Sequence, residues 1–350
     1  MDLPLTPDLL RRAPKVLLHD HLDGGLRPAT VLELASQVGH ELPADDEAGV
    51  AAWFDQSDRG ADLERYLSTF GHTVALLQTE AALTRVLREC AEDLDADGVV
   101  HAEVRYAPEL STAGGLDLDA VFDALAAGIA AAPATIEVRL LACIMRQEDR
   151  GDEVVAAALR ARDRGVPVVG VDLAGPERGF PAARHAAALR TARAGGLHVT
   201  LHAGEADGPA SVADALHQGA ERLGHGVRIV EDLAADGAPG AVARRVLAAG
   251  TPLEVCPTSN VHTGVVHDLG EHPVQALRDA GFTVTLSTDN RLMSGVTLSG
   301  ELAAVSAAFG WHLDDVAQLT RAAAEAAFLP EQERALLLER VQRGFAALVP

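Results

Sequence analysis

Eight short apolar runs, separated by stretches of helical periodicity, constrain the fold of this chain more than any other feature. They span 16–21, 99–106, 136–143, 168–173, 198–202, 222–224, 252–256 and 283–287. Between them, stretches such as 83–94 repeat apolar residues at i, i+3, i+4 and i+7. Strands that alternate with helices favour parallel pairing through right-handed crossovers, and eight such units predict an α/β fold, a closed (β/α)8 barrel of the TIM type.

Two parts of the chain depart from this repeat. Residues 24–98 separate the first two strands, whereas connections in such units usually have about 2 to 6 residues, and so long an insertion is typical of a lid. Residues 298–350 continue after the last strand in stretches of helical periodicity. Because the chain has no linker or low-complexity run, we expect residues 1–350 to form one barrel domain with a helical lid insertion and extra C-terminal helices.

The charge balance excludes two classes of partner. With 29 basic and 51 acidic side chains the net charge is −22, and such a surface repels both nucleic-acid phosphates and anionic lipid. Residues 1–14 lack the order of a signal peptide, and no apolar run approaches the ~20 residues that span a bilayer. Three widely spaced cysteines in apolar surroundings, Cys90, Cys143 and Cys256, predict buried reduced thiols. We therefore expect a cytoplasmic protein that binds neither nucleic acid nor membrane.

The first strand ends in a His-x-His pair. Side chains alternate along a strand, so His19 and His21 point the same way, and Asp23 would follow them if the backbone stayed extended. Imidazole nitrogen suits zinc, and zinc with one open position can activate a water molecule. Taken alone, the pair is equally consistent with two polar residues at the end of a strand.

Polar residues also follow the later strands. They are Asp172 and Glu177 after the fourth, His202 and Glu205 after the fifth, His225 after the sixth, Ser259 and Asn260 after the seventh, and Asp289 and Asn290 after the eighth. Singly, such residues are common at strand ends and in turns. In a parallel barrel, however, all of these ends meet at the C-terminal face, where barrel enzymes build their sites. Their convergence predicts an active site there.

Five of these segments resemble the ordered motifs of one enzyme family. They are His19-Asp-His-Leu-Asp23-Gly, Leu173-Ala-Gly175, His202-Ala-Gly-Glu205, Arg222-Leu-Gly-His225-Gly and Ser287-Thr-Asp289. The set is similar to that of the adenosine deaminase family, and the match extends from His19 to Asn290. The resemblance implies a zinc-containing (β/α)8 barrel that hydrolyses the 6-amino group of adenosine, and of 2′-deoxyadenosine, to give the inosine product and ammonia in purine salvage.

The resemblance also implies a role for individual residues. Four ligands hold one Zn²⁺ per chain: His19, His21, His202 and Asp289. Glu205 donates a proton to ring N1, which requires a protonated carboxyl group. His225 accepts a proton and orients the nucleophile, and together with Asp289 it holds the tetrahedral intermediate.

Substrate contacts follow from the same resemblance. Gly175 offers its backbone N–H to purine N3, and Asp23 accepts a hydrogen bond from the ribose 5′-hydroxyl, with His21 beside the substrate. A lid helix covers the purine with Leu63, Tyr66, Leu67 and Phe70. The spacing of these four residues is equally consistent with ordinary core packing.

One position departs from the family pattern. Where the family commonly has Asp-Asp-Pro, this chain has Asp289-Asn290-Arg291. The second acid is expected to reach purine N7, which is an acceptor, and the amide of Asn290 can donate there at any pH. The preferred 6-aminopurine therefore stays open between adenosine, 2′-deoxyadenosine, adenine and a nucleoside with a modified ribose.

Other enzyme classes fit the sequence less well. A two-metal amidohydrolase usually bridges its metals with a carbamylated lysine on the fourth strand, but the only lysine is Lys15. His101-Ala-Glu103 fits the His-x-Glu of nucleic-acid deaminases, yet the chain has no Pro-Cys-x-x-Cys, and we expect both residues to be ordinary strand positions. The acidic surface also disfavours an AMP-specific enzyme. A non-catalytic nucleoside-binding barrel would have lost a metal ligand or Glu205, and all are present.

Overall fold

Eight parallel strands form one sheet in sequence order. The computed structural model describes residues 5–55 and 63–348, with side chains in the second range from Tyr66 onward. The strands are β1 (Lys15–His21), β2 (Val99–Tyr106), β3 (Glu137–Met145), β4 (Val168–Ala174), β5 (His198–Ala203), β6 (Arg222–His225), β7 (Leu253–Val255) and β8 (Val284–Leu286). The sheet closes beyond β8, where Asp289 N–H donates to His19 O at 2.9 Å and His21 N–H donates to Asp289 O at 2.7 Å. The predicted (β/α)8 barrel is confirmed.

Helices connect the strands and fill both departures from the repeat. Helix α1 (Pro7–Arg12) precedes β1, and the insertion carries α2 (Pro28–Val38), α3 (Glu47–Phe54), α4 (Leu63–Ser68), α5 (Phe70–Leu76) and α6 (Glu80–Ala96). The crossovers carry α7 (Leu118–Ala130), α8 (Gly151–Asp163), α9 (Ala186–Ala194), α10 (Pro209–Gln218), α11 (Ala241–Ala249), α12 (Pro257–His262) and α13 (Val274–Asp279). After β8 follow α14 (Arg291–Ser294), α15 (Leu298–Phe309), α16 (Leu313–Ala326) and α17 (Glu331–Ala346). Short 3-10 turns lie at Leu22–Gly24, Pro108–Ser111, Ala182–His185, Val227–Asp232 and Leu269–Glu271.

The apolar core lies between the sheet and the surrounding helices. Helix α6 shows how the pattern works, because its residues Leu83, Val86, Leu87 and Leu94 repeat at helical spacing and are all buried. Helix α16 packs against β1 and β8 and so covers the seam where the barrel closes. The three cysteines are buried and free, as predicted. Across the described ranges, no helix combines the length and the apolar character needed to cross a membrane.

The interior of the barrel is charged. Arg105 on β2 contacts Asp172 at 2.5 Å and Glu254 at 2.7 Å. Arg222 on β6 contacts Glu254 at 2.7 Å and Glu103 at 2.5 Å. These five side chains, which we call the interior charge network, are buried and alternate in sign. The alternation of sign offsets the desolvation cost of burial, because each buried charge contacts only charges of the opposite sign.

One end of this network joins the barrel to its C-terminal helices. Phe328, just after α16, donates its backbone N–H to Glu103 at 2.6 Å, and its ring lies 3.5 Å from the Arg222 guanidinium. Arg222 also donates to the carbonyl of Ala326 at 2.9 Å. His101 and Glu103 are therefore residues of strand β2, as expected, and Glu103 lies in this structural part of the barrel.

We predict that Arg105→Met lowers the free energy of unfolding by about 3–5 kcal/mol, because it leaves Asp172 and Glu254 buried without their shared cation. Urea denaturation at fixed metal concentration measures the change. Arg343→Met is the matched control, because Arg343 pairs only with Glu339 and its side chain is 70% exposed. Equal midpoints for the two variants would show that the network does not stabilise the fold.

Candidate active site

The C-terminal ends of four strands bring their polar residues to one point. One ring nitrogen each from His19, His202 and His225, and a carboxylate oxygen of Asp289, lie within 4.8 Å of one another. His21 joins them, with its Nε2 atom 3.2 Å from His202 Nε2 and 3.4 Å from Asp289 Oδ1. Residues from the first strand and from the end of the last strand therefore meet where the resemblance places a metal ion.

Two residues of this group have an unusual backbone. His225 and Asp289, with φ of 59° and 60°, are the non-glycine residues with positive φ in the described part of the chain. This region is costly for residues with a Cβ, and it persists where surrounding structure imposes it, often at functional sites. For Asp289 the constraint is visible, because its N–H and C=O make the two hydrogen bonds that close the barrel.

The hydrogen bonds of His19 leave a lone pair at the centre of the group. Its Nδ1 lies 3.0 Å from Glu254 Oε2 and must carry the proton, since the carboxylate can only accept. The Nε2 atom is then an acceptor, and it faces another acceptor, Asp289 Oδ1, at 3.2 Å without a hydrogen bond. A bound cation between these two facing acceptors would satisfy both.

His202 repeats this arrangement. Its Nδ1 lies 2.8 Å from Asp172 Oδ2, so the lone pair is on Nε2, which faces Nε2 of His21. Burial lowers the pKa of His21 well below its usual value and keeps that ring neutral. Neutral imidazoles oriented by carboxylates, together with a carboxylate ligand, are what a zinc site requires. The residues present therefore fit a bound metal ion.

A cavity opens next to this centre and contains the other predicted residues. Asp23, Gly175, Glu205 and Asn290 all line it. The Oδ1 atom of Asp23 is buried and has no hydrogen-bond partner among the described residues, so it is available to a polar ligand. Gly175 has φ of +92°, a backbone conformation that residues with a Cβ rarely adopt, so glycine is favoured at this position of the cavity wall.

The insertion contributes one wall of the cavity. Tyr66, Leu67 and Phe70 line it, and Tyr66 also places its hydroxyl 3.1 Å from Ser294 Oγ. Tyr66 is at the same time part of the buried core, so the two interpretations of this segment are compatible. The side chain of Leu63, the fourth predicted residue, lies outside the described residues.

Glu205 has the electrostatic environment of an acid. Burial, reinforced by the nearby charge of Asp289, raises the pKa of its carboxyl group to about 7. Its Oε2 atom lies 3.7 Å from Nε2 of His225, and both side chains line the cavity. A carboxyl group with this pKa holds a proton in a large fraction of molecules at neutral pH.

Comparison with known proteins agrees with this geometry. A family model described as adenosine deaminase matches residues 14–344. The chain belongs to the adenosine deaminase family. It is 48% identical to an adenosine deaminase of Mycolicibacterium vanbaalenii, with 100% of both chains covered. The resemblance inferred from the motifs is thereby confirmed, and the chain is an enzyme of a class that hydrolyses C–N bonds.

Solved structures extend the similarity to related deaminases. An adenine deaminase of Arthrobacter aurescens superposes with a TM-score of 0.85 at 27% identity, covering 95% of this chain and 98% of the other. An Arabidopsis N6-mAMP deaminase superposes with a TM-score of 0.83 at 28% identity, covering 96% and 99%. The adenosine deaminase family fold is therefore shared by enzymes named for different 6-aminopurines.

Sequence reasoning gave no role to Glu177, which positions the loop carrying Glu205. One carboxylate oxygen accepts from the backbone N–H of Gly204 at 2.6 Å. The other accepts from the N–H groups of Glu205, Ala206 and Asp207 at 3.1, 2.7 and 3.0 Å. Four donors on one buried carboxylate fix this loop of the deaminase, and nothing in the local sequence around Glu177 indicates the contact.

Arg291, which stands where the family commonly has proline, has a structural role. Its Nε donates to Asp20 Oδ1 at 3.0 Å, and its Nη2 lies 3.1 Å from Cys90 Sγ. Arg291 is absent from the described lining of the cavity. It therefore anchors the end of β8 beside β1 and leaves Asn290 to face the site.

We predict that Glu177→Gln lowers kcat of the deaminase about tenfold to a hundredfold, because an amide NH2 group must face at least one of the four N–H donors and displaces Glu205. KM should change little, since Glu177 does not line the cavity. Steady-state kinetics measures both. Glu339→Gln, which removes an exposed pair with Arg343, should leave kcat unchanged, and a Glu177→Gln enzyme as fast as this control would refute the positioning role.

Proposed function

We propose that this protein hydrolyses the 6-amino group of adenosine, and of 2′-deoxyadenosine, to give inosine or 2′-deoxyinosine and ammonia, a reaction of purine salvage. The observation that carries the proposal is the convergence of the lone pairs of His19, His202 and Asp289 beside a buried, protonatable Glu205 at one cavity. The relatives at 48% identity that bear the name adenosine deaminase support it.

His19, His21, His202 and Asp289 would hold one Zn²⁺ per chain. When bound, such an ion lowers the pKa of a water molecule towards ~7 and so supplies hydroxide at neutral pH. The carboxylates of Glu254 and Asp172 fix the proton of His19 and His202 on Nδ1, which keeps the Nε2 lone pairs available.

The chain's own residues then act on the purine. Glu205 hydrogen-bonds ring N1 and transfers its proton there, which draws electrons from C6 and makes that carbon electrophilic. The attacking oxygen forms a bond to C6 while hydrogen-bonded by Nε2 of His225. The proton given up by the attacking water passes to N6, and the C6–N6 bond breaks with release of ammonia. The remaining hydroxyl proton returns to Glu205 as the C6=O bond of the product forms.

Three cavity residues would orient the nucleoside. The backbone N–H of Gly175 reaches purine N3, and the amide of Asn290 donates to N7. The unpartnered Oδ1 of Asp23 accepts from the ribose 5′-hydroxyl. Tyr66, Leu67 and Phe70 close over the purine and exclude water.

The cavity favours a nucleoside over a nucleotide. The described residues that line it include no arginine or lysine, and Asp23, which we propose to accept from the 5′-hydroxyl, would repel the negative charge of a 5′-phosphate. The second candidate is another 6-aminopurine, such as adenine or a nucleoside with a modified ribose. Asn290, in place of the usual acid, is the observation that favours this alternative.

We also propose that residues 1–350 act as one domain in the cytoplasm. Side chains of the insertion and of the barrel line the same cavity, which supports a single unit. Three buried free thiols suit a reducing compartment.

A substrate panel tests the proposal directly. Adenosine and 2′-deoxyadenosine should lose their adenine absorbance band on addition of the zinc-loaded protein, and kcat/KM for AMP should be lower by about a hundredfold or more. Adenine as the best substrate would establish the second candidate. Bound zinc without turnover of any 6-aminopurine would instead identify a non-catalytic nucleoside-binding barrel.

Glu205→Gln should retain zinc and substrate binding but lower kcat by about 10²–10⁴, because the amide cannot transfer a proton to N1. His202→Ala, in contrast, should lose the metal itself. Metal analysis, equilibrium binding of adenosine and steady-state kinetics separate these effects. A Glu205→Gln rate within about threefold of the wild type would rule out the proton-donor role.

A further inference from the structure

A chain of hydrogen bonds behind His225 begins at a donor whose direction is unambiguous. The backbone N–H of Val274 lies 3.1 Å from Nδ1 of His272. A backbone amide can only donate, so this Nδ1 is an acceptor. His272 is buried, and burial together with the nearby His225 ring lowers its pKa to about 3, so the ring is neutral and its proton is on Nε2.

The next link orients Asn260. Nε2 of His272 lies 3.1 Å from Asn260 Oδ1 and donates to it. Asn260 is completely buried, and its Nδ2 atom therefore faces His225 Nδ1, at 3.1 Å. An amide NH2 group can only donate, so Nδ1 of His225 accepts, and the proton of the neutral His225 ring is on Nε2.

His225 thus differs from the histidines predicted to hold the metal. Nδ1 of His19 donates to Glu254, Nδ1 of His202 lies 2.8 Å from the Asp172 carboxylate, and both rings turn their Nε2 lone pairs to the centre. His225 receives a hydrogen bond from an amide and turns an N–H to the same place. By distance alone it belongs to the group that could hold an ion, but a protonated nitrogen is not a ligand.

We propose that Asn260 and His272 are positioning residues that hold His225 as the Nε2–H tautomer, so that it donates a hydrogen bond to the attacking oxygen and is kept out of the metal's ligand set. This inference rests on the proposed deaminase function. It reverses the role implied by the family resemblance, in which His225 accepts the proton of the nucleophile. The neighbouring carboxylate of Asp289 is the group left to accept that proton.

Asn260→Asp tests the proposal with almost no change of shape. A carboxylate at this position still accepts from His272 Nε2, but it also accepts from His225 and draws the His225 proton to Nδ1. With [¹⁵N]histidine in the full-length protein, His225 Nε2 should carry the proton in the wild type and lose it in Asn260→Asp. The His225 signals are identified by their loss in His225→Gln.

We expect the kcat of each variant to depend on which nitrogen of His225 carries the proton. Asn260→Asp should lower kcat about a hundredfold, the usual effect of losing one donor to the reacting oxygen, while KM stays within threefold because Asn260 does not line the cavity. His272→Gln is the conservative variant of the other positioning residue. Because its side-chain amide can still donate to Asn260 Oδ1, we expect it to retain the wild-type tautomer and a kcat within about fivefold of the wild type.

Several results would overturn the proposal. A wild-type spectrum in which His225 Nε2 lacks a proton would do so whatever the activity. So would an Asn260→Asp protein with unchanged spectrum and kcat. Failure of the wild type to deaminate adenosine, with Nε2–H observed, would refute the proposed function while still supporting the tautomer assignment.

Discussion

The paired burial of charge inside the barrel is the constraint on which the rest of this structure depends. Burial opposes ionisation of Glu254, but Arg105 and Arg222 hold its pKa well below the usual value, so it stays an anion. That anion fixes the proton of His19. Through Asp172 the same network orients His202. The stability of the barrel and the geometry of the site are therefore linked, because the charged groups that neutralise each other in the core also orient the histidine rings.

The chemical nature of each histidine's neighbour decides what that histidine can do. A carboxylate behind the ring leaves a lone pair in front, as in His19 and His202, and an amide behind the ring leaves an N–H in front, as in His225. Histidine side chains that lie within a few ångströms of one another are therefore acceptors in one case and donors in the other. Glu177 positions the proposed acid, Glu205, because its carboxylate accepts from four backbone N–H groups of the loop that carries Glu205.

The closure of the barrel is itself part of the site. Asp289 makes the hydrogen bonds that join β8 to β1, and it does so in a backbone conformation that a non-glycine residue adopts only under constraint. Arg291 ties the following turn to Asp20 on β1. The carboxylate of Asp289 therefore reaches the histidines of β1 only because the sheet is closed, which couples folding of the last strand to assembly of the centre.

The sequence by itself determined the eight strands, the insertion and the strand ends that carry His19, His21, His202, Glu205 and Asp289, because period-two and helical patterns are local and parallel strands share one active face. Only the tertiary structure decided which charges pair and which nitrogen of His225 carries the proton. Those properties depend on contacts between distant segments, and a side-chain amide or an imidazole has no fixed direction until its partners are in place.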